Sequence, residues 1–183
     1  MRLFLAVAIP DDVTSQMNET YAKLKQDYPE FSWVPEKNYH ITISFLGERS
    51  EDKMPYVVEA IERSTFDIKP TILFALDTGM FVYPGITLRL AFNRNKDLEQ
   101  IRERTVDLFS MERENDMKNK YMPHITLARY KLPSKQQYFH LKKKLERIKA
   151  PIEFPVNKIH LYQSITKPTN PEYEIIHTFE LVE

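Results

Sequence analysis

The tripeptide His-Ile-Thr occurs twice in this chain, at residues 40–42 and again at residues 124–126. Alternate side chains of a β-strand point to opposite faces. Each copy would therefore present its imidazole and its hydroxyl on one face and its isoleucine on the other. A single histidine of this kind is usually an ordinary polar residue on a half-exposed strand. Two copies in the same register favour a site in which both histidines act together.

The side chains of the two motifs suit acid–base chemistry on a phosphodiester. A neutral histidine can take a proton from water while a protonated one gives a proton to the leaving oxygen, because an imidazole pKa of about 6.5 keeps both forms available at neutral pH. Threonine hydroxyls can donate hydrogen bonds to phosphate oxygens on which charge develops. This chemistry needs neither a metal ion nor a cofactor. The catalytic candidates are His40 and His124, and the phosphate-binding candidates are Thr42 and Thr126.

The two motifs begin 84 residues apart, at positions 40 and 124, and the same offset recurs elsewhere in the chain. Apolar residues at helical spacing predict helices at 11–28 and 96–111, and a further helix follows each motif. Short apolar runs predict strands with counterparts at this offset, namely 3–9 with 86–92 and 71–76 with 155–160. Each half therefore reads strand, helix, strand, helix, strand, and turn residues at 77–85 join the halves.

This order of elements predicts an α+β fold in a single bilobal domain that spans residues 1–183. The internal repeat divides it at about 1–84 and 85–183, with two small sheets that carry helices on their outer faces. If the halves pack about a pseudo-two-fold axis, the two motifs meet in a central cleft. Terminal strands could cross between the lobes, so the lobes need not follow the repeat boundary.

The composition excludes several classes of site. Lys and Arg number 26 against 26 Asp and Glu, so a generally basic surface that coats nucleic acid is not expected. The absence of cysteine excludes disulfides, thiolate zinc sites, iron–sulfur clusters and a cysteine nucleophile. With only three glycines, neither a P-loop nor a Rossmann fingerprint can form. No apolar run approaches the length of a membrane span, and we predict a cytoplasmic protein without a membrane partner.

Local charge and aromatic residues provide secondary candidates. The segment 117–145 contains no Asp or Glu and could attract an RNA end, although lysines of this kind also occur on ordinary solvated helix faces. The candidate RNA contacts in this segment are Lys118, Lys120 and Lys131. Aromatic residues near the motifs could stack on a base, but alternation turns Phe45 toward the core, and no platform is assigned. Three histidines lack a threonine two positions later and are expected to be ordinary residues, namely His140, His160 and His177.

The sequences around the motifs, HITISFLG and PHITLAR, resemble the paired motifs of the two-histidine (2H) phosphoesterase superfamily. They are most similar to its LigT-like branch, the RNA 2′,3′-cyclic phosphodiesterases historically called 2′-5′ RNA ligases, and the resemblance covers the whole chain. It implies two lobes of antiparallel sheet with outer helices, one lobe holding both termini. The implied substrate is an RNA 3′ end or a nucleoside carrying a 2′,3′-cyclic phosphate, hydrolysed to a 2′-phosphomonoester without a metal or cofactor.

The same resemblance gives roles to the motif residues. It makes His40 and His124 catalytic, and it makes Thr42 and Thr126 ligands of the phosphate. A 2′-phosphate product makes O3′ the leaving atom. We assign His40 as the acid toward O3′ and His124 as the base toward water, while the two motifs themselves are symmetric in sequence.

The family also carries an arginine five residues after the second histidine, and Arg129 matches it. The resemblance implies that Arg129 contacts the phosphate or the substrate. Strict strand alternation instead places Arg129 on the same face as Ile125, away from the histidine. Either a bulge or a strand end turns it into the site, or it is a solvated arginine at the end of the strand.

Other functions would use the same residues. A phosphodiesterase with this site could act on linear 2′-5′ oligonucleotides, cyclic nucleotides or ADP-ribose cyclic phosphate, and the reverse 2′-5′ ligation could be a minor activity. A non-catalytic RNA- or nucleotide-binding protein would need the same basic cleft but would tolerate the loss of either histidine. Both histidines are present, which favours an enzyme, and we expect it to be a monomer.

Overall fold

A computed structural model gives the fold and describes residues 1–82, 84–109, 121–131 and 134–182. Within these ranges the chain forms nine strands and four α-helices. The strands are β1 (Arg2–Ala8), β2 (Ser32–Trp33), β3 (His40–Glu48), β4 (Thr71–Phe81), β5 (Ile86–Phe92), β6 (His124–Tyr130), β7 (Glu153–Val156), β8 (Lys158–Ile165) and β9 (Glu172–Glu180). The helices are α1 (Asp11–Asp27), α2 (Met54–Thr65), α3 (Lys96–Phe109) and α4 (Lys135–Leu145).

The helices form where apolar residues recur every three or four positions, and each buries that stripe against the sheet. In α1 the buried residues are Val13, Met17, Tyr21 and Leu24. Helix α4 begins with a capping box, in which the hydroxyl of Ser134 accepts the backbone N–H of Gln137 at 3.3 Å and the Gln137 side chain accepts the backbone N–H of Ser134 at 3.0 Å. These bonds satisfy two N–H groups that a helix start leaves free.

The strands form one large antiparallel sheet in the order β7-β4-β5-β6-β3-β1-β8-β9, with β2 paired to β6. The prediction of an α+β fold with an antiparallel sheet and helices is confirmed. The strand pairing is continuous where two separate sheets were expected, because the motif strands β3 and β6 pair at the centre. The pairing of β3 with β6 is short, and its paired position is Ile41 opposite Ile125. Both isoleucines are fully buried in the core.

Element positions follow the offset of 84 residues closely at the centre of the sheet. Strand β1 runs from 2 to 8 and β5 from 86 to 92, and the motif strands β3 and β6 begin at 40 and 124. The prediction that 155–160 forms one strand is wrong, since β7 ends at Val156 and β8 begins at Lys158. The description of the domain as two duplicated lobes stays a prediction.

The predicted linker at 77–85 is largely strand, because β4 pairs with β5 as far as Phe81 opposite Thr87. Gly79 looked like a turn residue, but it makes room for an ion pair on the sheet. A Cβ at Gly79 would lie 3.0 Å from the Asp77 carboxylate and 3.2 Å from the Arg89 guanidinium. The helices in the described ranges do not have the length and apolar character that a membrane crossing requires.

Candidate active site

The pairing of β3 with β6 brings the two His-Ile-Thr motifs to the same cavity. The strands run antiparallel, and their isoleucines face each other and point into the core. The histidine and the threonine on either side of each isoleucine therefore point to the opposite, open face of the sheet. A cavity of about 730 Å³ lies on that face. The residues that were predicted to form the site and that line this cavity are His40, Thr42, His124, Thr126 and Arg129.

A β-bulge follows the threonine of the first motif. The register of β1 against β3 passes from Leu5 opposite Ser44 to Ala6 opposite Thr42, so that Ile43 is the extra residue. A bulge of this kind reverses the alternation beyond it. Strict alternation from His40 predicts that Ser44 shares the face of the histidine and that Phe45 points to the core, and the bulge makes both predictions wrong. Ser44 is buried, with its hydroxyl 2.8 Å from that of Thr105, whereas Phe45 is 63% exposed and lines the cavity.

A second bulge stands at the equivalent place in β6. The register of β5 against β6 passes from Leu88 opposite Ala128 to Arg89 opposite Thr126, so that Leu127 is the extra residue. Leu127 and Ala128 are both buried. Arg129 consequently returns to the side of the histidine and lines the cavity. Of the two orientations considered from sequence, the structure has the one produced by a bulge.

The two imidazoles are held in the same way. His40 donates from Nδ1 to the backbone carbonyl of Asn38 at 2.7 Å, and His124 donates from Nδ1 to that of Met122 at 2.9 Å. A carbonyl oxygen can only accept, so each bond fixes the proton on Nδ1. Nε2 is then the ring atom left for proton transfer, as acceptor in the neutral ring and as donor in the protonated one.

Aromatic rings pack around both histidines. The ring centroid of His40 lies 5.0 Å from that of Phe4 and 5.2 Å from that of Tyr173, and Tyr173 meets it edge-on. The ring of His124 meets Phe81 edge-on at 5.1 Å. These contacts restrict rotation of the imidazoles and remove water from part of their surface.

The surroundings lower the pKa of both histidines. Burial lowers the pKa of His40, and the charges of His124 and Arg129 lower it further. Burial also lowers the pKa of His124, with further contributions from Arg89 and Arg129. A nearby positive charge disfavours the protonated ring, and a bound phosphate would act in the opposite direction. The protein's own charges thus favour neutral imidazoles, and an anionic ligand would help one of them to hold its proton.

The cavity has the charge expected of an anion site. Among the described residues that line it, the charged side chains besides the histidines are Arg2, Arg129 and Lys167, and none is a carboxylate. Exposed carboxylates lie near two of these cations, with Glu48 at 3.8 Å from Arg2 and Glu172 at 3.5 Å from Lys167. An anionic ligand would therefore meet positive charge on several sides.

Sequence reasoning missed part of this lining. Arg2 and Phe4 are alternate residues of β1 and share a face, but β1 reads as an apolar run in which that face is not visible. Lys167 comes from the loop between β8 and β9, which has no periodicity that could place it. This loop is tied to the site by Asn38, whose side-chain amide donates to the carbonyl of Pro171 at 2.8 Å.

Of the three lysines predicted from charge, Lys131 lies within the described residues. Lys131 follows β6 and lies over the ring of Tyr130 at 6.0 Å, outside the cavity lining. Lys118 and Lys120 lie outside the described residues. The Nδ1 atom of His160 lies 2.9 Å from the Thr178 hydroxyl, away from the cavity.

Two side chains donate hydrogen bonds to backbone carbonyls at the first bulge. The hydroxyl of the half-buried Tyr121 donates to the backbone carbonyl of Thr42 at 2.9 Å. Arg102 donates to the carbonyl of Ile43 at 2.8 Å, and its guanidinium lies over the ring of Tyr121 at 5.3 Å. Burial raises the pKa of Tyr121, so its hydroxyl remains a donor throughout the physiological range. These bonds satisfy backbone carbonyls at the irregular part of β3.

Comparison with known proteins places this chain in a family. The chain belongs to the 2′-5′ RNA ligase superfamily, whose family model matches residues 10–167. The resemblance drawn from the two motifs is thereby confirmed.

Individual relatives match over nearly the whole chain. It is 31% identical over 183 residues to the RNA 2′,3′-cyclic phosphodiesterase of Methanocaldococcus jannaschii, covering 96% of this chain and 98% of the relative. It is 29% identical over 186 residues to the RNA 2′,3′-cyclic phosphodiesterase of Thermotoga maritima, covering 97% and 94%. The crystal structure of the protein TT0787 of Thermus thermophilus superposes with a TM-score of 0.77 at 28% identity and covers 99% of this chain and 98% of that one.

Proposed function

We propose that this chain hydrolyses RNA-terminal 2′,3′-cyclic phosphates to 2′-phosphomonoesters by acid–base catalysis between His40 and His124, without a metal ion. The observation that carries the proposal is the pair of imidazoles on one cavity, each with Nδ1 bonded to a backbone carbonyl. The absence of carboxylates from the described lining and the relatives named RNA 2′,3′-cyclic phosphodiesterase also support it.

In the proposed reaction, Nε2 of His124 takes a proton from water as the water oxygen attacks phosphorus. Nε2 of the protonated His40 gives its proton to O3′ as the P–O3′ bond breaks, which leaves the phosphate on O2′. Thr42, Thr126 and Arg129 donate hydrogen bonds to the non-bridging oxygens on which charge develops. The cycle ends with His124 protonated and His40 neutral, and exchange with solvent restores the starting state.

The substrate phosphate contributes to this chemistry. Burial and the positive charge of Arg129 hold the pKa of both histidines low, and the negative charge of a bound phosphate acts against that lowering. Protonation of His40 is therefore linked to substrate binding. A cytoplasmic location and a monomeric state stay predictions from the sequence.

The test is to incubate the protein with EDTA and adenosine 2′,3′-cyclic phosphate and to separate adenosine 2′-phosphate from the 3′ isomer. We expect turnover in EDTA and the 2′ isomer as product. A strict requirement for an added metal ion would contradict the mechanism. Formation of the 3′ isomer would show that the P–O2′ bond breaks and that O2′, not O3′, is the leaving atom.

Matched variants test the histidines. His40→Ala and His124→Ala should each lower kcat by about 10²–10⁴-fold, the usual range for one positioned proton transfer. His140→Ala is the control, because His140 is an exposed residue of α4 that does not line the cavity. Near-normal turnover in either cavity variant would remove that histidine from the mechanism.

A further inference from the structure

The strands beside the two motifs carry different side chains opposite the threonines. Strand β5 pairs with β6 as β1 pairs with β3. Arg89 of β5 lies opposite Thr126, whereas Ala6 of β1 lies opposite Thr42. Residues opposite each other in an antiparallel pair share a face of the sheet. The second half of the site therefore has a cation beside its threonine where the first half has a methyl group.

Neighbouring residues hold Arg89 in a nearly buried place. Its side chain is 12% exposed, Nη1 donates to the Asp77 carboxylate at 3.1 Å, and the guanidinium lies over the Phe81 ring at 5.0 Å. Gly79 leaves room for this arrangement. The Nε atom of Arg89 is buried, and no residue of the described ranges bonds to it. An unpaired buried donor costs free energy, so packing alone does not account for an arginine here.

The guanidinium approaches His124 through Phe81. The Phe81 ring lines the cavity of the two motifs and meets the His124 ring edge-on at 5.1 Å. Since 5.0 Å separates the guanidinium carbon from the Phe81 centroid, Arg89 lies within about 10 Å of the His124 centroid. Burial lowers the pKa of His124, and the charges of Arg89 and Arg129 lower it further. Arg129 also lowers the pKa of His40, after burial and the charge of His124.

We propose that Arg89 is a positioning residue that keeps His124 neutral and thereby makes His124 the base and His40 the acid. This inference rests on the proposed function. A positive charge near an imidazole favours the neutral ring. In the active form the two histidines share one proton, and Arg89 directs that proton to His40. The bulges and the Nδ1 bonds are alike in both motifs, whereas Arg89 has Ala6 as its counterpart.

The charges around His124 leave this effect in place. The Asp77 carboxylate is 58% exposed against 12% for the Arg89 side chain, so water screens the carboxylate more strongly than the guanidinium. Arg129 acts on both histidines and does not distinguish them. The interaction between His40 and His124 is mutual, so it does not distinguish them either.

The groups on the His40 side do not reproduce the effect of Arg89. Arg2 and Lys167 line the cavity there, but both are exposed, and each has an exposed carboxylate nearby, at 3.8 Å and 3.5 Å respectively. Burial favours the neutral form of three titratable side chains near His40 or its neighbouring strand, namely Tyr162, Tyr173 and His160. Arg89 is therefore the charge that sets the two sides apart.

The first measurement is the titration of the His40 and His124 rings by NMR in the whole chain without ligand. Arg89→Met keeps an apolar stem and removes the charge. Coulomb's law at about 10 Å predicts that the pKa of His124 rises by about 0.3 at the dielectric constant of water and by about 1.2 at an effective value near 20. The pKa of His40 should change by less, and Arg89→Lys should keep both values near those of the wild type.

Two further variants control for side effects of the substitution. Asp77→Asn combined with Arg89→Met leaves no unpaired carboxylate, and the pKa of His124 should still exceed its wild-type value. Arg94→Met removes an exposed cation that follows β5 and pairs with Glu99, and it should move neither histidine.

Kinetics test the consequence for catalysis. In Arg89→Met, part of the singly protonated enzyme carries its proton on His124, so the maximal kcat/KM for adenosine 2′,3′-cyclic phosphate should fall by as much as about 2–15-fold, the same pKa change expressed as a ratio. Lower turnover with unchanged pKa values would mean that Arg89 only supports the packing of Phe81, and an equal rise for both histidines would mean that it does not distinguish them; either result overturns the proposal. If the wild type hydrolyses no cyclic phosphate, the proposed function has failed, and the NMR titration still decides whether Arg89 keeps His124 neutral.

Discussion

Replacing Arg129 by Gln should move the pH of maximal kcat/KM upward. The proposed mechanism uses the form with one protonated and one neutral histidine, whose population is greatest midway between the two pKa values. Both pKa values are lowered in this site, by burial and by charges that include Arg129. We therefore expect the wild-type maximum below pH 6.5, the approximate ordinary pKa of histidine. Removing the guanidinium charge raises both pKa values and carries the maximum upward.

The size of the shift follows from the size of the cavity. Arg129 and both imidazoles line one cavity of about 730 Å³, and we take its cube root, about 9 Å, as the working separation of the charges. Coulomb's law at this distance gives about 0.5 kcal/mol at the dielectric constant of water and about 1.8 kcal/mol at an effective value near 20. Since about 1.4 kcal/mol corresponds to one pKa unit, the maximum should rise by about 0.3–1.4 pH units.

The assay is kcat/KM for adenosine 2′,3′-cyclic phosphate at constant ionic strength across about pH 4–9. Lys131→Gln removes a charge after the same strand and serves as the control, because Lys131 is not among the charges that act on either histidine. Its profile should keep the wild-type position. The height of the Arg129→Gln profile should also fall, since a phosphate contact is lost. A profile that falls in height without moving, or that moves to lower pH, would refute the electrostatic reasoning.

Three further changes have defined outcomes. Tyr121→Phe removes the hydroxyl that donates to the partly buried carbonyl of Thr42, so the free energy of unfolding in urea should fall by about 0.5–1.5 kcal/mol; an unchanged midpoint would show that water replaces the bond. Thr42→Val and Thr126→Val keep the side-chain shape but remove a donor to phosphate, and each should lower kcat/KM by about 10–150-fold, the range of a hydrogen bond to a charged group; equal rates would exclude that contact. Arg2→Gln and Lys167→Gln should weaken a cyclic-phosphate-terminated oligonucleotide more at low than at high salt; an effect independent of salt would indicate a packing defect.

The sequence was sufficient to place the side chains at the start of each motif. Alternation correctly placed the isoleucine in the core and the histidine and threonine on the open face, because these three residues precede the bulge. The same rule failed for Ser44 and Phe45, which follow it. The bulge depends on how β3 pairs with β1, a segment some 40 positions earlier, and no local residue type signals the extra position. Arg129 was open to two orientations for the same reason.

The remaining errors have a similar cause. The turn-like residues of β4 are strand because they pair with β5 as far as Phe81 opposite Thr87, and Gly79 leaves room there for the Arg89–Asp77 ion pair at 3.1 Å. Arg2 and Lys167 reach the cavity from segments far from either motif. Charge counting favoured residues close to the second motif in sequence, whereas the cations in the described lining come from β1, β6 and a distant loop. The roles of Lys118 and Lys120 stay predictions.

Symmetry explains why both histidines are equally well placed, and its breakdown explains how they could differ in role. The bulges and the Nδ1 bonds repeat in both motifs, so nothing in the backbone distinguishes an acid from a base. Hydrolysis is not symmetric, since the leaving oxygen belongs to a ribose and the attacking oxygen to water. The proposed reaction therefore needs a difference between the two sides of the cavity. Phe45 in β3 and Arg129 in β6 emerge at equivalent positions after the bulges and both line the cavity, so the two motifs differ there in side-chain chemistry and not in backbone.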